Sequence, residues 1–431
     1  MIASFIVFLL KINVLTINID LIQSKNFIWI KWMQSTITMF PAENGDAFLI
    51  SMTLENSSFH MLVDAGYKKT FNNHIKNKLI EIRKNGGCLD LLVVTHIDSD
   101  HISGVIGLFE QNGSIQNPEI IQINEIWYNS YRHLISLSNS LKPSLNYRDQ
   151  SCINAIEAQG YKQNEVVDKN TEISAEQGLS LAKLIDQYGC PWNKRFSGLA
   201  VSNEKLTKVV FSDNIQLILL SPSKEKLDQL EKFWRDELGE KGFLASELLA
   251  NSTFEKSFEF LCSHEYESSE RDTGDISSES LDVEQLSQEE FKEDERAANG
   301  SSIGFVLEYY DKKFLFLGDA HPALIESSLK NYYKENCIWF DLIKISHHGS
   351  KQNTSQSLLN IIDSDIFLIS TKGNTHNHPD SVTIAKIINR PSVKKRRLYF
   401  NYQNKTYNLF NQDELMKKYN FSIELCGQVN F

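Results

Sequence analysis

Paired cysteines are the first thing the chain lacks. Its six, Cys88, Cys152, Cys190, Cys262, Cys337 and Cys426, are scattered over 431 residues with no CxxC pair. That excludes a short secreted disulfide framework and predicts free thiols in a reducing, cytoplasmic setting. Positive charge is also scarce: the formal net charge of −11 excludes a broad basic groove along a duplex, so any nucleic-acid contact is local. Long unbroken apolar runs are missing as well. Lys11 and Asp20 interrupt the opening MIASFIVFLLKINVLTINIDLIQSKNFIWIKW, and no small-residue cleavage site follows its first block. Residues 1–32 therefore read as an extension outside the fold, with the chain proper starting near Met33 and no stable membrane insertion expected. A repeat of fixed period is absent too.

What is present is a globular composition. With 41% hydrophobic residues the chain can bury a large core. From Ser35 the segments STITMF, AFLISMTL and FHMLVDAG alternate as a three-strand meander, with PAENGD as a turn. A helix over about 71–84 leads into the apolar strand LDLLVV, a helix at VIGLFE follows, and EIIQINEIWYN contains a further strand. The stretch from about 141 to 299 changes character and reads as an insertion. It holds helices at SAEQGLSLAKLIDQYG and KEKLDQLEKFWRDELGEKG, a hairpin at VVFSDNIQLILLSPS, and an acidic, serine-rich segment over 264–296 that composition predicts to be flexible and solvated. Order returns with SSIGFVLEYYDKKFLFLGD, then FDLIKIS, DIFLIST and the helix VTIAKIIN. Strands alternating with helices imply a layered α/β domain. Trp127, Trp192 and Trp234 read as core or helix-face residues, and KKRRLYF as a solvated turn before a strand.

Chemistry concentrates where strands end. THIDSDHISG, Thr95 to Gly104, places His96, Asp98, Asp100 and His101 within six positions after a buried strand. Imidazole nitrogens and carboxylate oxygens are ligands for zinc or manganese, and the carboxylates favour the harder ion.

This motif resembles the first metal motif of the metallo-β-lactamase superfamily, in the HxDxDH form of the hydrolase domain of competence-type DNA-uptake proteins. The resemblance continues through NGDAFLI, LVDAG, FLGDAHP, ISHHGS and NHPDS. It implies an αββα sandwich over 33–431 and a centre of one or two divalent ions. Carried over by position, His96 and Asp98 would hold one ion and Asp100 and His101 the other, with Asp319 bridging. His347 would close the second site, with His348 able to exchange with it, and Asp64 would orient a ligand histidine. Aspartate stands at 98 where the family's usual motif has histidine, and its middle histidine ligand has no clear counterpart; His133 lies in the right region. Asp100, His348, His321 and His378 are the candidates for orienting or protonating roles.

The function this implies is a metal-dependent hydrolase of phosphodiesters, standing alone without channel helices, in the manner of relatives that sit beside an ATPase partner in bacterial defence systems. Hydrolysis of a small ester, lactam or thioester is the alternative within the fold. A partner-binding subunit with a non-catalytic metal site is the alternative outside catalysis.

Overall fold

The computed structural model describes residues 34–55, 57–135, 147–159, 180–243, 252–263, 281–374 and 377–431. The amino-terminal extension and residues 264–280 of the acidic segment lie outside them. Among the described residues no helix is long and apolar enough to cross a membrane.

The strands are β1 (Ser35–Met39), β2 (Phe48–Thr53), β3 (Ser58–Val63), β4 (Leu91–Val93), β5 (Ile126–Trp127), β6 (Lys208–Ser212), β7 (Ile215–Ser221), β8 (Gly304–Tyr309), β9 (Lys312–Phe316), β10 (Leu342–Lys344), β11 (Ile366–Ile369), β12 (Arg396–Phe400), β13 (Phe421–Leu425) and β14 (Gln428–Asn430). They form two sheets, ordered β14-β1-β2-β3-β4-β5 and β13-β12-β11-β10-β9-β8-β7-β6. Successive strand residues point to opposite faces, and the apolar pattern follows that period of two. Phe48, Ile50 and Met52 of β2 face Phe305, Leu307, Phe314 and Phe316 of the other sheet in one shared core. Leu49 of β2 points outward with Leu62 and Leu92 against Leu79 and Val105 of the helices α1 (Lys76–Lys84) and α2 (Ser99–Gln111). Val306, Leu315, Ile343 and Phe367 point outward from the second sheet against α6 (Pro322–Tyr333) and α7 (Ser381–Ile388). Helix, sheet, sheet and helix thus stack in four layers, with three apolar seams between them.

Three further helices, α3 (Leu181–Tyr188), α4 (Lys224–Glu240) and α5 (Ser252–Cys262), join the seam behind the first sheet. Buried Glu259 on α5 accepts from the backbone amides of Leu181 and Ala182 at the start of α3, at 2.7 and 2.9 Å.

Three expectations need correction. The 141–299 stretch is not wholly an insertion, because its hairpin is β6–β7 and pairs with β8 inside the second sheet. Residues 281–296 of the acidic segment are solvated only in part: most of their acidic side chains stay exposed, but a short helix spans Val283–Ser287, and Val283 and Asp294 are buried. Composition missed Asp294 because its partners, Asn299 and Asn353, come from outside the segment. In KKRRLYF, Arg396 is buried and donates from Nε and Nη2 to the two carboxylate oxygens of Asp363, at 3.0 and 2.7 Å. Trp127 and Trp234 are core residues, and half-buried Trp192 packs against the core behind the first sheet.

Candidate metal centre

Parallel strands deliver the site. β3 runs parallel to β4, and β9, β10 and β11 run parallel in the second sheet, so their carboxyl ends open on the same edge of the sandwich. Asp64 follows β3, His96 follows β4, Asp319 follows β9, and His347 and His348 follow β10. His96 and Asp98 lie on the loop after β4, but Asp100 and His101 fall in the first turn of α2 rather than on that loop. Helix geometry there turns both side chains to the site, and the helix amino terminus favours their negative neighbours.

Two glycines allow the close approach. A Cβ on Gly45 would stand 1.9 Å from the carbonyl oxygen of Asp100, and one on Gly104 would stand 2.0 Å from that of Ala65. The amides of Ala65 and Gly104 donate to the carbonyls of His101 and Gly66 at 3.2 and 2.7 Å, which stitches the loop after β3 to α2.

The centre is organised around one carboxylate oxygen. Oδ2 of buried Asp319 lies 3.7 Å from Nε2 of His96, 3.6 Å from that of His101, and 3.7 Å from those of His347 and His348. Each ring has its other nitrogen engaged, and the partners fix the tautomers. His101 Nδ1 donates to Asp64 Oδ2 at 2.8 Å. The Thr95 hydroxyl donates to the same Asp64 oxygen at 2.7 Å, so it accepts from His96 Nδ1 at 3.0 Å. His348 Nδ1 donates to the Ser370 carbonyl at 2.9 Å, and His347 Nδ1 donates to Asn353 Oδ1 at 2.8 Å. All four Nε2 atoms therefore converge on an anionic oxygen. Without an ion, the raised His101 and His348 rings carry protons there; with those protons displaced, imidazole nitrogens around a carboxylate oxygen make a donor set that fits divalent ions. His96, His101 and Asp319 form one group that could hold an ion, and Asp100, His101 and His348 form another.

Protonation follows the same field. Burial alone would raise the Asp319 carboxyl, but His347, His101 and His348 outweigh it and hold it well below its usual value. Burial opposes charge on His348, yet Asp319 and Asp46 lift it to about 9. His101 is likewise raised well above its usual value, chiefly by Asp319 and Asp64 against burial.

The tandem histidines separate. His348 Nε2 lies 3.5 Å from Asp100 Oδ2 and 3.3 Å from His101 Nε2, so His348 rather than His347 joins the Asp100–His101 group. Sequence left His347 and His348 exchangeable in that role, and the geometry puts His348 beside Asp100 and His101. Asp98 Oδ2 is bound by Arg296 at 2.6 Å and stands 3.8 Å from His96 Nε2. It occupies the cap position of α2 without capping it, its side chain being drawn to Arg296 instead.

His133 does not join the centre. Its Nδ1 accepts from the Ser130 amide at 3.0 Å and its ring packs edge-on to Trp192. Burial and the adjacent Arg132 push its pKa down to about 3, which suits a neutral acceptor. His321 is nearly as enclosed: Lys226 Nζ lies 2.9 Å from its Nδ1 and Asp294 Oδ2 4.0 Å from its Nε2. With a side chain 4% exposed, it is a buried partner of Asp294 and not the substrate-facing donor expected. His378 is half-buried beside Asp380, its ring centroid 5.1 Å from that of His347.

Sequence reasoning assigned no role to four residues that the fold brings here. Asp46 pairs with buried Lys344 and lies 3.3 Å from His348 Nδ1. Its signal was the NGDAFLI motif, and that of Lys344 was a lone charge in an apolar strand. Asp294 accepts from Asn299 and Asn353 at 2.6 and 3.0 Å, and Arg296 binds Asp98. Neither of these carried a signal, because both stand in a stretch whose composition reads as solvent-facing.

Residues 42–114 match the family model described as the metallo-beta-lactamase superfamily. That stretch contains Asp46, Asp64, His96, Asp98, Asp100 and His101, and the four-layer α/β fold around it is of this type. No curated protein matches the chain.

Proposed function

We propose that the chain is a metal-dependent hydrolase acting on phosphodiesters. The observation that carries this is the convergence of four Nε2 atoms on Asp319 Oδ2 at 3.6 to 3.7 Å. Divalent ions in such a seat supply Lewis acidity and make water a nucleophile near neutral pH.

The chain's own groups divide the remaining work. Asp64 and Thr95 hold the His96 and His101 rings in the ligating tautomer, and Ser370 and Asp46 do so for His348. Asp100, with 18% of its side chain exposed, is the carboxylate at the mouth of the centre and can accept a proton from an incoming nucleophile. His378 lies on the same approach, 12% exposed, where it can donate to a leaving oxygen. Lys344 and Arg296 offset part of the carboxylate charge at Asp46 and Asp98. Phosphodiesters are favoured because two carboxylates, Asp319 and Asp100, stand among the histidines of the donor set, which suits manganese as well as zinc and phosphoryl oxygens as substrate ligands.

The test is a substrate panel on the full chain with zinc or manganese: bis(p-nitrophenyl) phosphate, single-stranded DNA, RNA and a chromogenic lactam. Metal-dependent phosphodiester turnover that disappears in Asp100→Ala is expected. Turnover of the lactam alone would refute the substrate class, and chelator-resistant turnover would refute the mechanism.

A further inference from the structure

We infer that Arg296 binds a non-bridging oxygen of the substrate's phosphoryl group, which makes it a specificity-determining residue on the Asp98 side of the centre. This deepens the phosphodiester reading above and rests on it.

Arg396 shows the form a purely structural pair takes in this molecule. Its Nε and Nη2 donate to both oxygens of Asp363, and the side chain is fully buried. Arg132 takes Glu255 in the same two-pronged way, from Nε and Nη2. Arg296 meets its carboxylate differently. Its Nη2 donates to Asp98 Oδ2 at 2.6 Å, while Oδ1 of that carboxylate is buried and accepts no hydrogen bond from the described residues. The side chain is 11% exposed, close to the 12% of His378 at the mouth of the centre. A planar guanidinium that matches a carboxylate matches a phosphoryl group by the same fork.

The backbone of Arg296 is fixed before any ligand arrives. Its amide donates to Asp294 Oδ1 at 2.9 Å, and Asn299 and Asn353 hold Asp294 Oδ2 at 2.6 and 3.0 Å. From there the side chain reaches Asp98, whose Oδ2 also lies 3.8 Å from His96 Nε2. The guanidinium and the His96–His101–Asp319 group that could hold an ion thus meet on one carboxylate oxygen. A fixed cation beside a divalent ion is repelled by it, and Asp98 offsets only part of their combined charge. That wall therefore favours an incoming anion. A phosphodiester spreads one negative charge over two non-bridging oxygens, one of which can face the ion and the other the guanidinium. A neutral ester brings no charge for Arg296 to bind.

The experiment measures inorganic phosphate binding to the full-length, manganese-loaded protein by calorimetry, together with KM and kcat for bis(p-nitrophenyl) phosphate. Wild type, Arg296→Met and Arg296→Lys are compared, with circular dichroism and manganese content as checks. Arg296→Met is expected to bind phosphate about 10- to 100-fold more weakly, the loss of a charge-assisted contact, with KM raised by a similar factor and manganese content unchanged. Arg296→Lys, which keeps the charge but not the fork, should fall between the two. Unchanged phosphate affinity in folded, manganese-replete Arg296→Met would overturn the inference. Loss of manganese from Arg296→Met would overturn it as well, because that result assigns Arg296 to holding Asp98 alone. Wild-type turnover decides the substrate class proposed above, and the ratio of phosphate affinities decides the role of Arg296, so the two fail separately.

Discussion

Asp64→Asn tests the centre more sharply than removal of any ligand, because it changes no shape and no direct contact with an ion. Asp64 Oδ1 accepts from the Thr95 amide at 2.8 Å, and Oδ2 accepts from both the Thr95 hydroxyl and His101 Nδ1, at 2.7 and 2.8 Å. An asparagine offers acceptors at one of these positions and donors at the other. If the amide nitrogen replaces Oδ2, it opposes the His101 Nδ1 proton; if it replaces Oδ1, it opposes the Thr95 amide. The cheaper resolution moves the His101 proton to Nε2, where it satisfies Asp319 and blocks the lone pair that would bind an ion. Loss of an oriented ligand of this kind costs roughly 10- to 100-fold in metal affinity, or about 1.4 to 2.7 kcal/mol. Zinc affinity measured by chelator competition should fall by that factor in Asp64→Asn, with far-ultraviolet circular dichroism unchanged. Wild-type affinity in the variant would refute the tautomer argument, since nothing else in the substitution could restore the Nε2 lone pair.

Two other outcomes follow from the same geometry. Gly45→Ala should displace Asp100, because its Cβ would stand 1.9 Å from a backbone oxygen that has no side chain to swing aside; a destabilisation of about 1 to 3 kcal/mol in urea unfolding is expected, with metal affinity weakened, and a variant matching the wild type in both would refute the packing account. In the metal-stripped protein, His348 has its pKa raised from 6.5 to about 9, so its contribution is complete below pH 6.5 and is lost as pH rises through about 9. Urea midpoints should fall over that window once chelator is present, and a flat profile would contradict the assigned field of Asp319 and Asp46.

The elements read well from sequence where apolar residues alternate with a period of two and the flanks carry turn residues. Phe48, Ile50 and Met52 declare one face of β2, and Phe305 and Leu307 one face of β8, without any knowledge of what they face. LDLLVV and EIIQINEIWYN also read as strands, but their bounds did not, since β4 and β5 keep only Leu91–Val93 and Ile126–Trp127 of them and so brief a strand carries almost no period. Corrections cluster in the polar stretches. Asp294 and Arg296 look like members of a solvated acidic run, and what buries them is a centre assembled from other parts of the chain.

Local pattern alone determined the layered α/β class and the placing of His96, Asp319 and the tandem histidines at strand ends, because these depend on periodicity and on residues adjacent in sequence. The tertiary structure decided which nitrogen faces which oxygen. His101 and His348 meet across 247 positions, and Asp98 and Arg296 across 198. The proton on an imidazole is set by whatever acceptor reaches its far side, and that acceptor is chosen by the packing of two sheets. For His133 the same rule worked in reverse: the right residue in the right region met a backbone amide and a tryptophan instead of a carboxylate.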